Sequence, residues 1–541
     1  MGIPGLARRL EPYASQYSAD QLDGYSAIID GPALAYFGHK LAVTASKDTS
    51  KLPSYREICT EAIRWLEQLE KINVKVSTIF FDGALPKLKQ VERLSRLEQN
   101  NKRVLQLRAS YPTDSCPIPR TLASILYAFL APALREALAA SPYAARTRIV
   151  PGEADDWCAL YAKDVDRSVV FTSDTDLVLY HYSKETLIVF LNDVDLSSGI
   201  RALSPDQIRG KLHLQSLVPF AYALCQSPQD TANLLIQNAR NVNLSSEGFV
   251  DFNRRYSPSA IISADRRKAS LDALSLQDLD VRISEYVDQA LSSSTNPLVY
   301  LPLLMEDPAQ ASAWNMGHDV RKLAYSLLAP AGTLVHEYRR KSQGVSSQEI
   351  QPLSKAETVS ATVHLEQQIS GLILWANSKR IEPELLWPLF GLSLVLSDLN
   401  TAPAISLVLR VLNADFDNTW AFVQLTARIQ AAMYSLRVLK QIVNVKLTQQ
   451  ISRDAELNGS LDEINRHMSL FPSIGDMFTV PGQTKKILAE NDSLRAIVEE
   501  IYASAGTEAP SEQVSNKKKK RQAREADRKK RKAGMRQMAA S

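Results

Sequence analysis

The sequence predicts an α/β unit with a mainly parallel sheet flanked by helices, followed by an all-helical domain and a disordered basic tail. Three observations predict it. Short apolar runs alternate with helix-like segments over residues 1 to about 200; Leu-rich helical segments without strand signals follow to about Tyr502; the residues beyond Ala503 turn polar and then densely basic.

The first strand is Ala27-Ile28-Ile29, ending at Asp30. A helix begins after Pro53, where Ser54-Tyr55-Arg56-Glu57 forms a capping box. Within it Ile58, Ala62, Ile63, Leu66 and Leu69 share one face. Val74 to Phe81 is the next strand, ending at Asp82. Strand, helix, strand in that order implies a right-handed crossover and parallel pairing. The pattern repeats from Arg146 through a Trp157–Ala162 helix to Phe171, and Leu187–Leu191 adds another strand. Between Asp82 and Glu153 the spacing predicts a polar, basic helix over about 88–107 and an apolar one over about 122–139, separated by the turn-rich segment 111–120. Segments such as ISGLILWANSKR and MYSLRVLKQIV predict helices further on, with no fixed-period repeat.

Length, 541 residues, exceeds one ordinary core. The net charge of +4 hides an asymmetry: Lys517 to Arg536 carries twelve Lys/Arg against Glu525 and Asp527, a net +10 that leaves about −6 for the rest. Such a body and tail suit a folded unit with a polyanion-binding or import segment, and the two basic clusters predict a nuclear location. Cys59, Cys116, Cys158 and Cys225 lie far apart without a CxxC pair, which predicts reduced thiols in an intracellular protein and no zinc site. The longest apolar stretch, Leu385–Leu396, is 12 residues with Pro388 inside, so no membrane association is expected.

The acids carry the chemistry. Asp30, Asp82, the Glu153/Asp155 pair and the Asp174/Asp176 pair all follow strand-like runs. Strand ends of a parallel sheet gather at one edge, where α/β ligand sites form. Six carboxylates there would repel unless cations sit among them, which points to a divalent-metal site acting on phosphate. Each acid taken singly also reads as an N-cap or turn residue.

In order and spacing, MGIPGL, IIDG, FFDG with PKLK, PGEAD and FTSDTD resemble the flap endonuclease/XPG superfamily of structure-specific nucleases, whose fold is PIN-like. The long helical C-terminal region looks most like the asteroid branch. The resemblance implies an XPG N-terminal-like part (1–110), an XPG internal part (111–230), a helical asteroid-type domain (231–503) and the tail (504–541). It also implies that Asp30, Asp82, Glu153, Asp155, Asp174 and Asp176 hold two Mg²⁺ or Mn²⁺ ions, and that Lys89 and Arg96, seven residues apart on one helix face, steer the phosphate, with Arg93 and Gly2 also contacting substrate. Asp156 is additional to the motif, as a supporting acid or a helix N-terminal one.

The match departs from the family after residue 200. Aligning Leu217-Val218 with the family's next helix puts Ser227 where a seventh metal-binding Asp belongs, with Asp230 three residues late, and the glycines of the duplex-gripping motif are absent. The expected substrate is therefore single-stranded, overhanging or branched DNA, cut in repair or replication by a monomer whose helical domain docks a protein partner. A catalytically weak or inactive nucleic-acid-binding scaffold is the alternative reading, and an RNA-cleaving relative a third.

Overall fold

The computed structural model describes residues 2–510 except 183–184, 195, 197–198, 257–278, 293, 331, 449–454 and 487–490. Of the tail expected to be disordered (504–541), Ser504 ends the helix Asn491–Ser504, and residues 511–541, with the basic clusters, lie outside the described residues.

A five-stranded parallel sheet organises the first half. Its strands are β1 (Ser26–Asp30), β2 (Lys75–Asp82), β3 (Thr147–Val150), β4 (Arg167–Thr172) and β5 (Glu185–Phe190), in the order β3-β2-β1-β4-β5. The chain builds outward from β1 to β3 and then returns to place β4 on the other side of β1. The switch point lies between β1 and β4, where open α/β sheets form their ligand crevice. Helices α1 (Gly31–Ala45), α2 (Tyr55–Lys71), α3 (Gln90–Ser110), α4 (Leu130–Ala139) and α5 (Ala154–Lys163) connect or flank these strands. The α2 capping box forms as the sequence predicts.

Alternation along the strands separates two cores. Ala27, Ile29, Ile79, Phe81, Val169 and Phe171 face one side, in a core continuous with the C-terminal helices. Ile28, Phe80, Val150, Val170 and Ile188 face the other, against Trp157 and Cys158 of α5 and the helices of residues 218–254. Each fully buried large side chain contributes about 1.5–3 kcal/mol. Asp30 and Asp82 stand two residues beyond Ile28 and Phe80, so both turn toward the α5 side.

Two expectations change. The helix predicted over 122–139 is two pieces, a 3-10 segment Arg120–Leu126 and then α4, bent by 56°. Pro132 is the reason: it lacks an N–H and its ring would meet the carbonyl of residue 128, so helix can restart only just before it. The C-terminal region is mainly helical but not all-helical. It contains a three-stranded sheet of β6 (Leu298–Tyr300), β7 (Val335–Lys341) and β8 (Gly344–Ile350). β7 gives no apolar alternation because its buried positions include Glu337, Arg339 and Arg340, which are ion-paired inside the fold. Around the sheet pack α6 (Val281–Leu291), α7 (His318–Leu328) and the 29-residue α8 (Trp420–Thr448). Cys59, Cys116 and Cys158 are buried free thiols, and Cys225 is exposed. Among the described residues no single helix is long and apolar enough to cross a membrane.

Candidate active site

Register brings the acids to one edge. Asp30 lies opposite Phe80 on β2, and its neighbour Ile29 opposite Phe171 on β4, so Thr172 comes level with Asp30. Asp82 lies opposite Val150, three residues before Glu153. The carboxyl ends of four adjacent strands thus deliver Asp30, Asp82, the Glu153/Asp155 pair and the Asp174/Asp176 pair to the same rim.

Local structure holds each one. Asp30 caps α1 through Ala33 N–H (3.1 Å), and its other oxygen accepts from Thr172 Oγ1 (2.8 Å). Asp82 accepts from Ala154 N–H at the start of α5 (2.8 Å). Gly83 follows because a Cβ there would stand 2.2 Å from the Val150 carbonyl oxygen. Glu153 is the N-cap residue of α5, and Glu153, Asp155 and Asp156 each offer an oxygen within 4.8 Å of the others. Asp174 accepts from Asp176 N–H (2.9 Å), opening the 3-10 turn that aims both carboxylates.

The electrostatics are those of acids crowded together in a buried setting. Burial pushes Asp82 up to about 7, with further push from Asp30 and Glu153. Burial likewise pushes Asp30 up to about 6, with Asp174 adding to it against the two hydrogen bonds. Asp155 is held well above the usual carboxylate range by burial and then by Glu153, Asp156, Asp30 and Asp174. Asp176 is raised by burial and by Asp174. These mutual influences tie the six acids into one electrostatic unit.

The predicted basic residues separate. Lys89 enters the cluster, its Nζ 2.9 Å from Glu153 and 3.6 Å from Glu92. Burial opposes its charge, but Glu153, Glu92 and Asp155 outweigh that and raise its pKa. Arg96 shares the helix face, as the seven-residue spacing requires, but ion-pairs with Glu92 on the exposed side. Arg93 turns toward the C-terminal region, pairing with Glu285 of α6 and lying 4.7 Å over the Tyr300 ring, while its charge still tempers Asp82. Along the same helix Asn101 donates to the Gln343 carbonyl (2.9 Å) and Arg108 to Asp307 (2.8 Å), so α3 is fastened to the C-terminal region along its length.

Gly2 lies against the Asp174/Asp176 pair. Its φ is +52°, and a Cβ would stand 2.5 Å from Asp174 Oδ1 and 2.6 Å from Asp176 Oδ1. Ile3 N–H donates to Asp176 Oδ1 at 2.7 Å. Ser227 ends the helix Val218–Gln226, and Asp230 accepts from Asn238 Nδ2 (3.0 Å) while its carbonyl accepts from Arg9 (2.6 Å). Tyrosines, unmarked in the sequence, bond the acids instead. Tyr256 O–H donates to Asp176 Oδ2 (3.0 Å), and Tyr180 O–H to Asp156. Thr172 supports both Asp30 and the backbone of Asp174. Tyr180 follows Asp176 by four residues in a loop, and Tyr256 is eighty residues away, so no periodicity announces either.

Residues 126–351 match a family model described as XPG domain containing. This stretch is XPG-like. It holds Glu153, Asp155, Asp174 and Asp176 and runs through β8. No curated protein matches the chain. Among solved structures, human GEN1 in complex with Holliday junction DNA is 19% identical over 50% of this chain, with a TM-score of 0.28. The catalytic core of Rad2 in complex with DNA substrate is 18% identical over 50% of this chain and 76% of its own, with a TM-score of 0.31. The chain covers 62% of the GEN1 chain, less than two thirds.

Proposed function

We propose that this chain is a divalent-metal-dependent, structure-specific DNA endonuclease of the asteroid branch of the XPG superfamily. The observation that carries the reading is the convergence of Asp30, Asp82, Glu153, Asp155, Asp174 and Asp176 at four adjacent strand ends, with Lys89 among them. The XPG-domain match supports it.

The donor set fits a hard cation. Every donor is a carboxylate oxygen, and the acids raise one another's pKa in a way that added positive charge would relieve. These six acids would hold Mg²⁺ or Mn²⁺, two ions in our reading, with Asp156 within reach. Bound there, such ions supply Lewis acidity and lower the pKa of water. The chain itself does the remaining work. Lys89 exchanges Glu153 for a phosphate oxygen and offsets charge developing on it. Gly2 leaves room beside Asp174 for a strand to approach. Thr172, Tyr256 and Tyr180 hold three of the carboxylates in orientation, and Arg96 gives a flanking phosphate contact.

The absence of a glycine-rich duplex clamp after residue 217 favours single-stranded or overhanging DNA, bound through charge and stacking. The basic tail supports nuclear import, hence repair or replication, and the C-terminal region is the surface for a protein partner of a monomeric enzyme. A non-catalytic scaffold is the second reading, favoured by Asp176 having both oxygens hydrogen-bonded and by Ser227 in place of an acid. A gel assay with Mg²⁺ or Mn²⁺ on single-stranded, overhang, flap and matched RNA substrates separates them. The expected result is metal-dependent DNA cutting that Asp174→Asn/Asp176→Asn abolishes. DNA binding without cutting by the wild type would establish the scaffold.

A further inference from the structure

A cavity of about 780 Å³ opens in the C-terminal region, between the start of α7, strand β7 and the loop after Asp398. Its floor is cationic. Arg339 is 8% exposed, and the counter-ion nearest to it, Glu337, is already engaged. Both oxygens of Glu337 accept from Arg321 (2.7 and 3.0 Å), and one also accepts from Tyr325 (3.0 Å). Arg339 Nε is left 3.4 Å from that carboxylate with no hydrogen bond, while its other nitrogens donate to the neutral Asn315 and Gln348. Arg340 takes Glu306. The buried network thus holds Arg321, Arg339 and Arg340 against Glu306 and Glu337, one positive charge in excess.

Three more features point the same way. Arg428 reaches the cavity with a neutral partner, Gln310 Oε1, at 3.2 Å. Burial holds the guanidinium groups of Arg428 and Arg339 below the usual arginine value. His318 Nδ1 is buried without a hydrogen-bond partner among the described residues, at the first turn of the 11-residue helix α7, where the Gly317 N–H already donates to Asp398 (3.4 Å). Excess buried cation and an orphan imidazole nitrogen together make an anion site.

The cavity is far larger than one oxyanion, and its rim is of another character. Asp319, Asp398, Asn400 and Thr401 are exposed there and offer acceptors for hydroxyl and amino groups. We propose that this cavity binds a nucleotide, its phosphate between Arg428, Arg339 and His318 and its nucleoside along the rim. This is independent of the acid edge of the β1–β5 sheet. The ligand chemistry, a nucleoside phosphate, could come from a free nucleotide or from the 5′-phosphorylated end of a strand.

The test is isothermal titration of the full chain in EDTA with AMP, adenosine, inorganic phosphate, and dinucleotides with and without a 5′-phosphate. AMP is expected to bind at least about tenfold more tightly than adenosine or phosphate, since each lacks half of the contacts. Arg428→Gln, and separately Thr401→Glu on the exposed rim, should each weaken AMP by about tenfold or more. Tighter binding of the 5′-phosphorylated dinucleotide assigns the site to strand ends, and tighter AMP to free nucleotide; either supports it. No AMP binding, phosphate binding as tightly as AMP, or affinity unchanged in both variants would overturn the proposal.

Discussion

Two groups of buried carboxylates in this molecule behave in opposite ways. At the edge of the β1–β5 sheet, Asp30, Asp82 and Asp155 face one another, and their pKa values rise. In the C-terminal region Glu337 is fully buried, and burial alone would raise it too. Arg321 and then Arg339 outweigh that and hold it below the usual glutamate value. The residue types are alike and only the partners differ. Carboxylates paired with arginines serve the fold; the carboxylates at the sheet edge face chiefly one another, with Lys89 beside Glu153, an arrangement that a cation would complete.

The sharpest way to break this comparison is to neutralise one acid in each region. Asp155→Asn is expected to abolish metal-dependent cleavage while leaving or raising the metal-free unfolding midpoint, because it removes repulsion. Glu337→Gln strands Arg321 in the interior and should cost about 3–5 kcal/mol in denaturant unfolding. Loss of stability in the first variant, or none in the second, would make the two regions alike.

The basic face of α3 gives a smaller effect. Lys89→Ala should lower kcat by roughly 10²-fold, as for loss of one charge-stabilising donor. Arg96→Ala, which breaks a pair with Glu92 on the exposed side, should cost only a few-fold, visible mostly in salt dependence. Equal losses would return Arg96 to the reacting centre.

Opposite pKa shifts also predict opposite pH slopes. For Asp30 and Asp82, the folded state binds more protons than the unfolded chain between the ordinary carboxylate value and about 6 and about 7 respectively. Their contribution therefore falls as pH rises through that window. Glu337, with a depressed pKa, stabilises above the ordinary glutamate value and loses that contribution as pH falls into the acid range. Metal-free protein titrated in EDTA should show the first slope, Mg²⁺ or Mn²⁺ should flatten it, and Asp82→Asn should reduce it. A slope untouched by either would place its origin elsewhere.

The smallest expected effect belongs to Tyr256→Phe. Removing one hydrogen bond to Asp176 should weaken metal dependence by about tenfold, the low end for an orienting partner of a ligand, with little change in stability. A saturation curve of cleavage against Mn²⁺ measures it.

Much of the first half is legible in the sequence. Strand-length apolar runs, a capping box and acids at strand ends are local signals, and Asp30, Asp82, Glu153, Asp155, Asp174 and Asp176 lie where those signals place them. The apolar pattern over 122–139 hid the break before α4 that Pro132 imposes. β7 was not legible, because a strand whose buried face includes Glu337 and Arg339 takes its stability from distant ion pairs and leaves no apolar period to read.

By itself, then, the sequence determined the parallel sheet, the edge to which its acids belong and the charge asymmetry of body and tail, since all of these follow from short-range patterns and chain order. Tertiary structure alone decided that Lys89 enters the acid cluster while Arg93 turns to Glu285, that Tyr256 bonds Asp176, and that Arg339 is left beside an engaged Glu337 above a cavity. Each of those outcomes depends on which side chain the folded chain brings within hydrogen-bonding reach, and no spacing along the chain encodes that.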